Sequence, residues 1–314
     1  MRKVAGLVVA VGVALCITVL VVLHAGNTSG RSAAGSTSSR GAAGSPSATG
    51  RTKIVQVETS TKTYSLTAGG LKRSYVIIEP VSGLPAAAPV IIMLTGYGAT
   101  VSSEMTRDKL IPYASSNQAK IVYPVAVHTS WNSDSRGGYA YAHKVDDLAF
   151  MKALVPAVDP GHARPVYVVG YSNGGRLAYR VACADPGLFD AYAAVKGGPS
   201  PGCVVSKPVT IAQLASLDDT EVPYKPGAKG RELIPVTTLV AQLRETDQCT
   251  AQPVVTHSGN MTLDTWSGCA AGTRLAFATW TDGKHSFPRP PYSVPAAAQV
   301  IWSFFTNTPL APLP

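Results

Sequence analysis

No pair of cysteines in this chain has the C-x-x-C spacing, and no stretch is densely packed with Lys and Arg. The first absence argues against a zinc site and leaves no metal to expect. The second argues against nucleic acid as a partner. Acidic residues are missing altogether from the first fifty positions, where Arg2, Lys3, Arg31 and Arg40 stand. Beyond position 50 the balance is 23 basic residues against 18 acidic, a mild +5 that reads as a solvated basic surface. No internal repeat recurs along the chain.

What is present begins with a leader. Arg2 and Lys3 precede an apolar run from Val4 to Leu23, longer than the usual core of a cleaved signal and long enough for a membrane span. Residues 1–25 are read as a signal peptide or an uncleaved signal-anchor; in both cases the remainder is exported. Residues 26–52 are almost all Gly, Ala, Ser and Thr, too poor in apolar surface to fold, and read as a flexible linker. Residues 53–314 are then one large folded domain. Cys16 lies in the leader, which leaves Cys183, Cys203, Cys249 and Cys269. Four cysteines in an exported domain suggest two disulfides; of the three connectivities, the sequence-local pairs Cys183–Cys203 and Cys249–Cys269 are favoured.

Short apolar, β-branched runs bounded by turn residues predict strands at 73–80, 89–96, 119–126, 165–170, near 192–195, 208–216 and 273–280. Helical spacing predicts helices over 145–155, 174–184, 235–247 and 295–305, with Pro235 at the first helical position of the third. Continuous apolar strands alternating with helices imply an α/β domain, a mostly parallel sheet with helices on both faces. In such sheets chemistry gathers in the loops at the strands' C-terminal ends.

Two stretches there read G-x-S-x-G, a spacing that in the right setting bends a strand sharply into a helix and exposes the serine. The first, "GYSNGG", passes that test. A strand enters Gly170, a helix leaves near Gly174, and Asn173 offers a backbone N–H directly after Ser172 as an oxyanion donor. The second, "GPSPG", fails it: Pro201 follows Ser200 and has no N–H to give, and no helical pattern comes after.

A serine hydroxyl is a weak nucleophile and needs a base, itself oriented by a carboxylate. After the strand at 208–216 come Asp218 and Asp219, with Glu221 as an outsider; after the strand at 273–280 comes His285. His128, His143 and His162 precede the serine, and His257 sits beside a cysteine pair. A second oxyanion donor is expected from "LTGYGA", where Gly96 and Gly98 allow close approach and the N–H of Tyr97 is the candidate. Trp131 either lines an acyl or aromatic substrate pocket or is a core residue.

From about Ser74 to Pro288 the chain resembles the exported α/β-hydrolase esterases that include poly(3-hydroxybutyrate) depolymerases and feruloyl esterases. The resemblance is carried by "RSYVIIEP", "LTGYG", "IVYP" with "SWN", "VDDLAFMKALV", "VYVVGYSNGGRLAYRVACA", "DDTEVPY" and "KHSFP". It implies an α/β-hydrolase fold, Ser172 as nucleophile, Asp219, three residues before Val222, as the acid, and His285 as the base. Two departures stand out: Thr95-Gly96 where the family commonly has His-Gly, and Phe287 where Trp is common.

The function expected is an exported serine carboxylester hydrolase that needs no cofactor and acts on a polyester, hydroxycinnamoyl or acyl-sugar ester. No appended binding module is seen, which weighs against attack on an insoluble polymer. Two alternatives stay open: a cell-envelope acyltransferase with the same triad, and an inactive hydrolase fold used as a binding protein. Any membrane contact would run through the N-terminal anchor. The oligomeric state is not indicated.

Overall fold

Strands that are apolar at every position must be covered on both faces. Val90–Leu94 shows this most plainly, with all five side chains fully buried, each worth on the order of 1.5–3 kcal/mol. The computed structural model describes residues 55–133, 137–228, 230 and 232–314. The leader 1–25, the linker 26–52 and Cys16 lie outside the described residues.

Ten strands form one sheet among the described residues: β1 (Thr59–Ala68), β2 (Leu71–Pro80), β3 (Val90–Leu94), β4 (Lys120–Pro124), β5 (Val166–Tyr171), β6 (Ala191–Val195), β7 (Ile211–Ser216), β8 (Val254–Ser258), β9 (Met261–Trp266) and β10 (Leu275–Trp280). Their order is β1-β2-β4-β3-β5-β6-β7-β10-β9-β8. The run from β4 to β10 is parallel, and an antiparallel pair closes each edge. The helices are α1 (Val101–Asp108), α2 (Ile111–Ser115), α3 (Tyr139–Ala142), α4 (Asp147–Val158), α5 (Asn173–Ala184), α6 (Val236–Thr246) and α7 (Ala297–Thr306).

Two cores lie on opposite faces of the sheet. One packs Leu154, Leu177 and Leu239, from α4, α5 and α6, against Ile92 and Val168. The other packs Tyr113 and Ile301, from α2 and α7, against Ile91 and Val169. Helices therefore cover both faces, as the alternation of elements implied. Three details differ from the expectation. Helix α6 begins one residue later, with Pro235 as its N-cap. Helix α4 starts at Asp147 because Asp146 caps it, accepting from the N–H of Ala149. Strand β1 and the β8–β9 hairpin were not expected.

Cys183 is bonded to Cys203 and Cys249 to Cys269, the sequence-local pairs. No helix among the described residues is long and apolar enough to cross a membrane.

The "VDD" segment has a structural meaning. Asp147 is fully buried and pairs with the guanidinium of Arg73 at 2.8 Å, while its other oxygen accepts from the N–H of Asn132 at 2.7 Å. Arg73 in turn lies 4.1 Å from the centre of the Phe150 ring. This pair bolts β2 to α4 and fixes the loop that carries Trp131. Removing one partner would strand a buried charge, at a cost of about 3–5 kcal/mol.

Candidate active site

The parallel strands end on one edge, and six loops meet there: those after β3, β4, β5, β6, β7 and β10. The turn from β5 into α5 is the tightest. Ser172 adopts φ 51° and ψ −110°, a strained conformation that lifts its side chain out of the turn. Two glycines permit it. A Cβ on Gly170 would stand 2.2 Å from the carbonyl oxygen of Gly174, and one on Gly174 would stand 2.3 Å from that of Leu94. No side chain fits at either point.

The Oγ of Ser172 lies 2.8 Å from Nε2 of His285. Nδ1 of His285 lies 3.0 Å from both carboxylate oxygens of Asp219. A carboxylate against Nδ1 requires the proton there, so Nε2 is the acceptor for the serine hydroxyl. Asp219 is itself held: Oδ1 accepts from the N–H groups of Glu221 at 2.8 Å and Val222 at 3.0 Å.

Asp218 points elsewhere and accepts from the N–H of Lys284 at 2.9 Å. It therefore steadies the chain before His285 rather than the ring. Three more groups grip that loop. Ser216 donates to the carbonyl of Asp282 at 2.9 Å, Tyr171 donates through its hydroxyl to the carbonyl of His285, and Lys196 donates through Nζ to the carbonyls of Gly283, at 3.2 Å, and Lys284. Lys196 is fully buried, and burial pushes its ammonium down to about 8, against the opposing pull of Asp219, Asp218 and Asp282. Sequence reasoning passed over Lys196, Tyr171 and the holding role of Asp218. A lysine closing the apolar strand "AYAAV" was the available signal.

The residues expected to donate to an oxyanion, Tyr97 and Asn173, both line the cleft that holds Ser172. Asn173 opens α5, so its N–H has no partner within the helix. Tyr97 lies in the loop after β3, between Gly96, whose N–H goes to Glu104 at 3.2 Å, and Gly98, whose N–H goes to the carbonyl of Thr129 at 2.9 Å. The Tyr97 N–H makes no such bond among the described residues. The side chain of Asn173 anchors the elbow, accepting from the N–H of Trp131 at 2.7 Å and donating to its carbonyl at 3.2 Å.

A cleft of about 670 Å³ opens over these groups, with Tyr97, Tyr171, Ser172, Asn173 and His285 in its wall. Trp131 is not in that wall. It is fully buried, with its indole N–H on the carbonyl of Thr95 at 3.0 Å, so the pocket role weighed for it is replaced by support of the loop beneath Tyr97. Ser200 is buried and donates to the carbonyl of Ser133 at 3.2 Å, away from the cleft. His128 and His143 stack on Tyr139, and His257 is exposed on β8.

Strand order, the strained elbow and its loops define an α/β-hydrolase fold. Acetyl xylan esterase from Aspergillus awamori superposes on 78% of this chain and 99% of its own, with a TM-score of 0.54 at 13% identity. Among curated proteins, one named as an esterase, NocK, of Nocardia uniformis subsp. tsuyamanensis is 26% identical over 54% of this chain and 51% of its own length. Feruloyl esterase B of Thermothelomyces thermophilus is 28% identical over 37% of this chain and 40% of its own. The matches thus span about half or less of these two relatives. No family model matches the chain.

Proposed function

We propose that the chain is a serine carboxylester hydrolase in which Ser172, His285 and Asp219 form the catalytic triad. The observation that carries this reading is the unbroken line of contacts from Ser172 through His285 to Asp219 at the floor of an open cleft. Ser172 Oγ attacks the ester carbonyl carbon as His285 Nε2 takes its proton. Asp219 holds the resulting imidazolium, and the N–H groups of Tyr97 and Asn173 receive the oxyanion. The tetrahedral adduct collapses, the C–O bond to the alcohol breaks, and His285 protonates the departing oxygen. Water, deprotonated by His285, then attacks the acyl-enzyme; the ester bond to Ser172 Oγ breaks, His285 returns the proton to that oxygen, and the acid leaves.

The esterase names of the two curated relatives support an ester as substrate, and the resemblance in sequence motifs narrows it to the polyhydroxybutyrate depolymerase and feruloyl esterase type. Residues 53–314 would be the catalytic domain of an exported protein, a location that the two disulfides support. The test compares initial rates of the full chain on methyl ferulate and on a 3-hydroxybutyrate oligomer, with Ser172→Ala as blank. Turnover of either ester that vanishes in the blank is expected. Turnover that persists in the blank would remove Ser172 from the chemistry.

Lys196 should be a positioning residue in this reaction. Lys196→Gln keeps donors for the loop carbonyls but removes a positive charge that faces Asp219, Asp218 and Asp282. The loop that carries His285 then loses a charge-assisted anchor, and kcat should fall on the order of tenfold with little change in KM. A purely structural role would lower the melting temperature and leave kcat unchanged.

A further inference from the structure

The cleft is poorly suited to a greasy substrate. Among the described residues none of its lining is Leu, Ile, Val, Met, Phe or Trp. Among the described residues the lining carries Arg107, Arg176 and Lys284 beside one carboxylate, Glu221, with that of Asp219 behind His285. Ligand clefts are commonly lined by apolar and aromatic side chains with a few polar groups; here, among the described residues, Tyr97 and Tyr171 supply the aromatic surface and charged groups outnumber them.

Two of the cations flank His285. Lys284 directly precedes it and is exposed. The guanidinium of Arg107 lies 5.2 Å from the centre of the Tyr171 ring, which also neighbours the imidazole of His285, with ring centres 5.9 Å apart. In the triad reading His285 is the group that hands a proton to the leaving oxygen. Arg107 is also fixed in place. Its Nη1 donates at 3.1 Å to Glu104, which is fully buried and also accepts from the N–H of Gly96 in the loop that carries Tyr97. The Arg107 side chain keeps 30% of its surface exposed. Glu104 therefore holds one corner of the guanidinium fork from behind and turns the rest to the cleft. A planar fork with free N–H groups is the group best matched to a carboxylate or phosphate.

We propose that the cleft selects esters whose alcohol portion carries a negative charge, a carboxylate or a phosphate, held by Arg107 and Lys284 beside the leaving oxygen. This rests on the triad reading above and names the substrate class for it. An anion placed there is drawn in by the cations, and the alkoxide that develops next to it is screened by them.

The test uses two acetates with one acyl group, 4-acetoxybenzoate and its methyl ester, on the full chain. The neutral ester has the better leaving group, so intrinsic chemistry works against the expected result. We expect kcat/KM to favour the anion by on the order of tenfold. The ratio should shrink toward parity in about 1 M salt and in both Arg107→Gln and Lys284→Gln. Lys284→Gln keeps the test decisive if loss of Arg107 leaves buried Glu104 unpaired and the fold fails. Equal rates, a preference for the methyl ester, or an anion preference that both variants retain would overturn the proposal. So would hydrolysis of neither ester by a protein whose Ser172 is still labelled by a fluorophosphonate, an outcome that leaves the triad intact. Hydrolysis that survives Ser172→Ala would instead overturn the triad.

Discussion

Ser172→Ala should reduce kcat for ester turnover by about a millionfold. What survives is the binding and oxyanion contribution, on the order of a thousandfold or more over water. Alanine inherits the same backbone strain at φ 51°, so the fold should be kept and the melting temperature should hardly move. The check is kcat on an ester that the wild type turns over, with fluorophosphonate labelling of both proteins. Labelling of the Ala variant at another serine, with turnover retained, would place the nucleophile elsewhere.

The second large effect separates two adjacent carboxylates. Asp219→Asn turns an acceptor toward Nδ1 that is no longer charged, and it lets the imidazole adopt the wrong tautomer. A fall in kcat of about ten-thousandfold is expected. Asp218→Asn keeps a carbonyl oxygen for the N–H of Lys284, and its loss should be about tenfold or less. Measuring both variants side by side is decisive. A dead Asp218→Asn beside an active Asp219→Asn would move the acid by one residue.

The choice between those two shows how far the sequence could be read. The elbow at Ser172 was legible, because glycine on both sides of a serine between an apolar strand and a helix has few other uses. The order serine, acid, histidine after successive strands was legible too. The motif resemblance pointed to Asp219, but spacing alone could not choose it. Its orientation comes from the turn in which it accepts from Glu221 and Val222, which leaves Asp218 facing the other way. Trp131 stayed ambiguous because a tryptophan after a strand end suits a pocket and a core equally well; the Arg73–Asp147 pair, the side chain of Asn173 and the carbonyl of Thr95 fix it in the core. Strand β1 was missed because it is a Thr-rich edge strand with most of its side chains in solvent. The β8–β9 hairpin was missed because β8 is almost wholly exposed and shows no buried face to give it away.

The two disulfides bear on how the protein should be handled. Each spans 20 residues, a loop whose closure contributes about 3 kcal/mol. Cys183–Cys203 ties the far end of α5 to the segment after β6, and Cys249–Cys269 ties the end of α6 to the approach of β10, which precedes His285. Both cross-links thus guard the spacing of serine and histidine from outside the cleft. A chain produced in a reducing bacterial cytoplasm would emerge with all five cysteines as thiols and neither tether. The choice of host then becomes an enzymological variable, and a sluggish preparation should have its free sulfhydryls counted before its substrate is doubted.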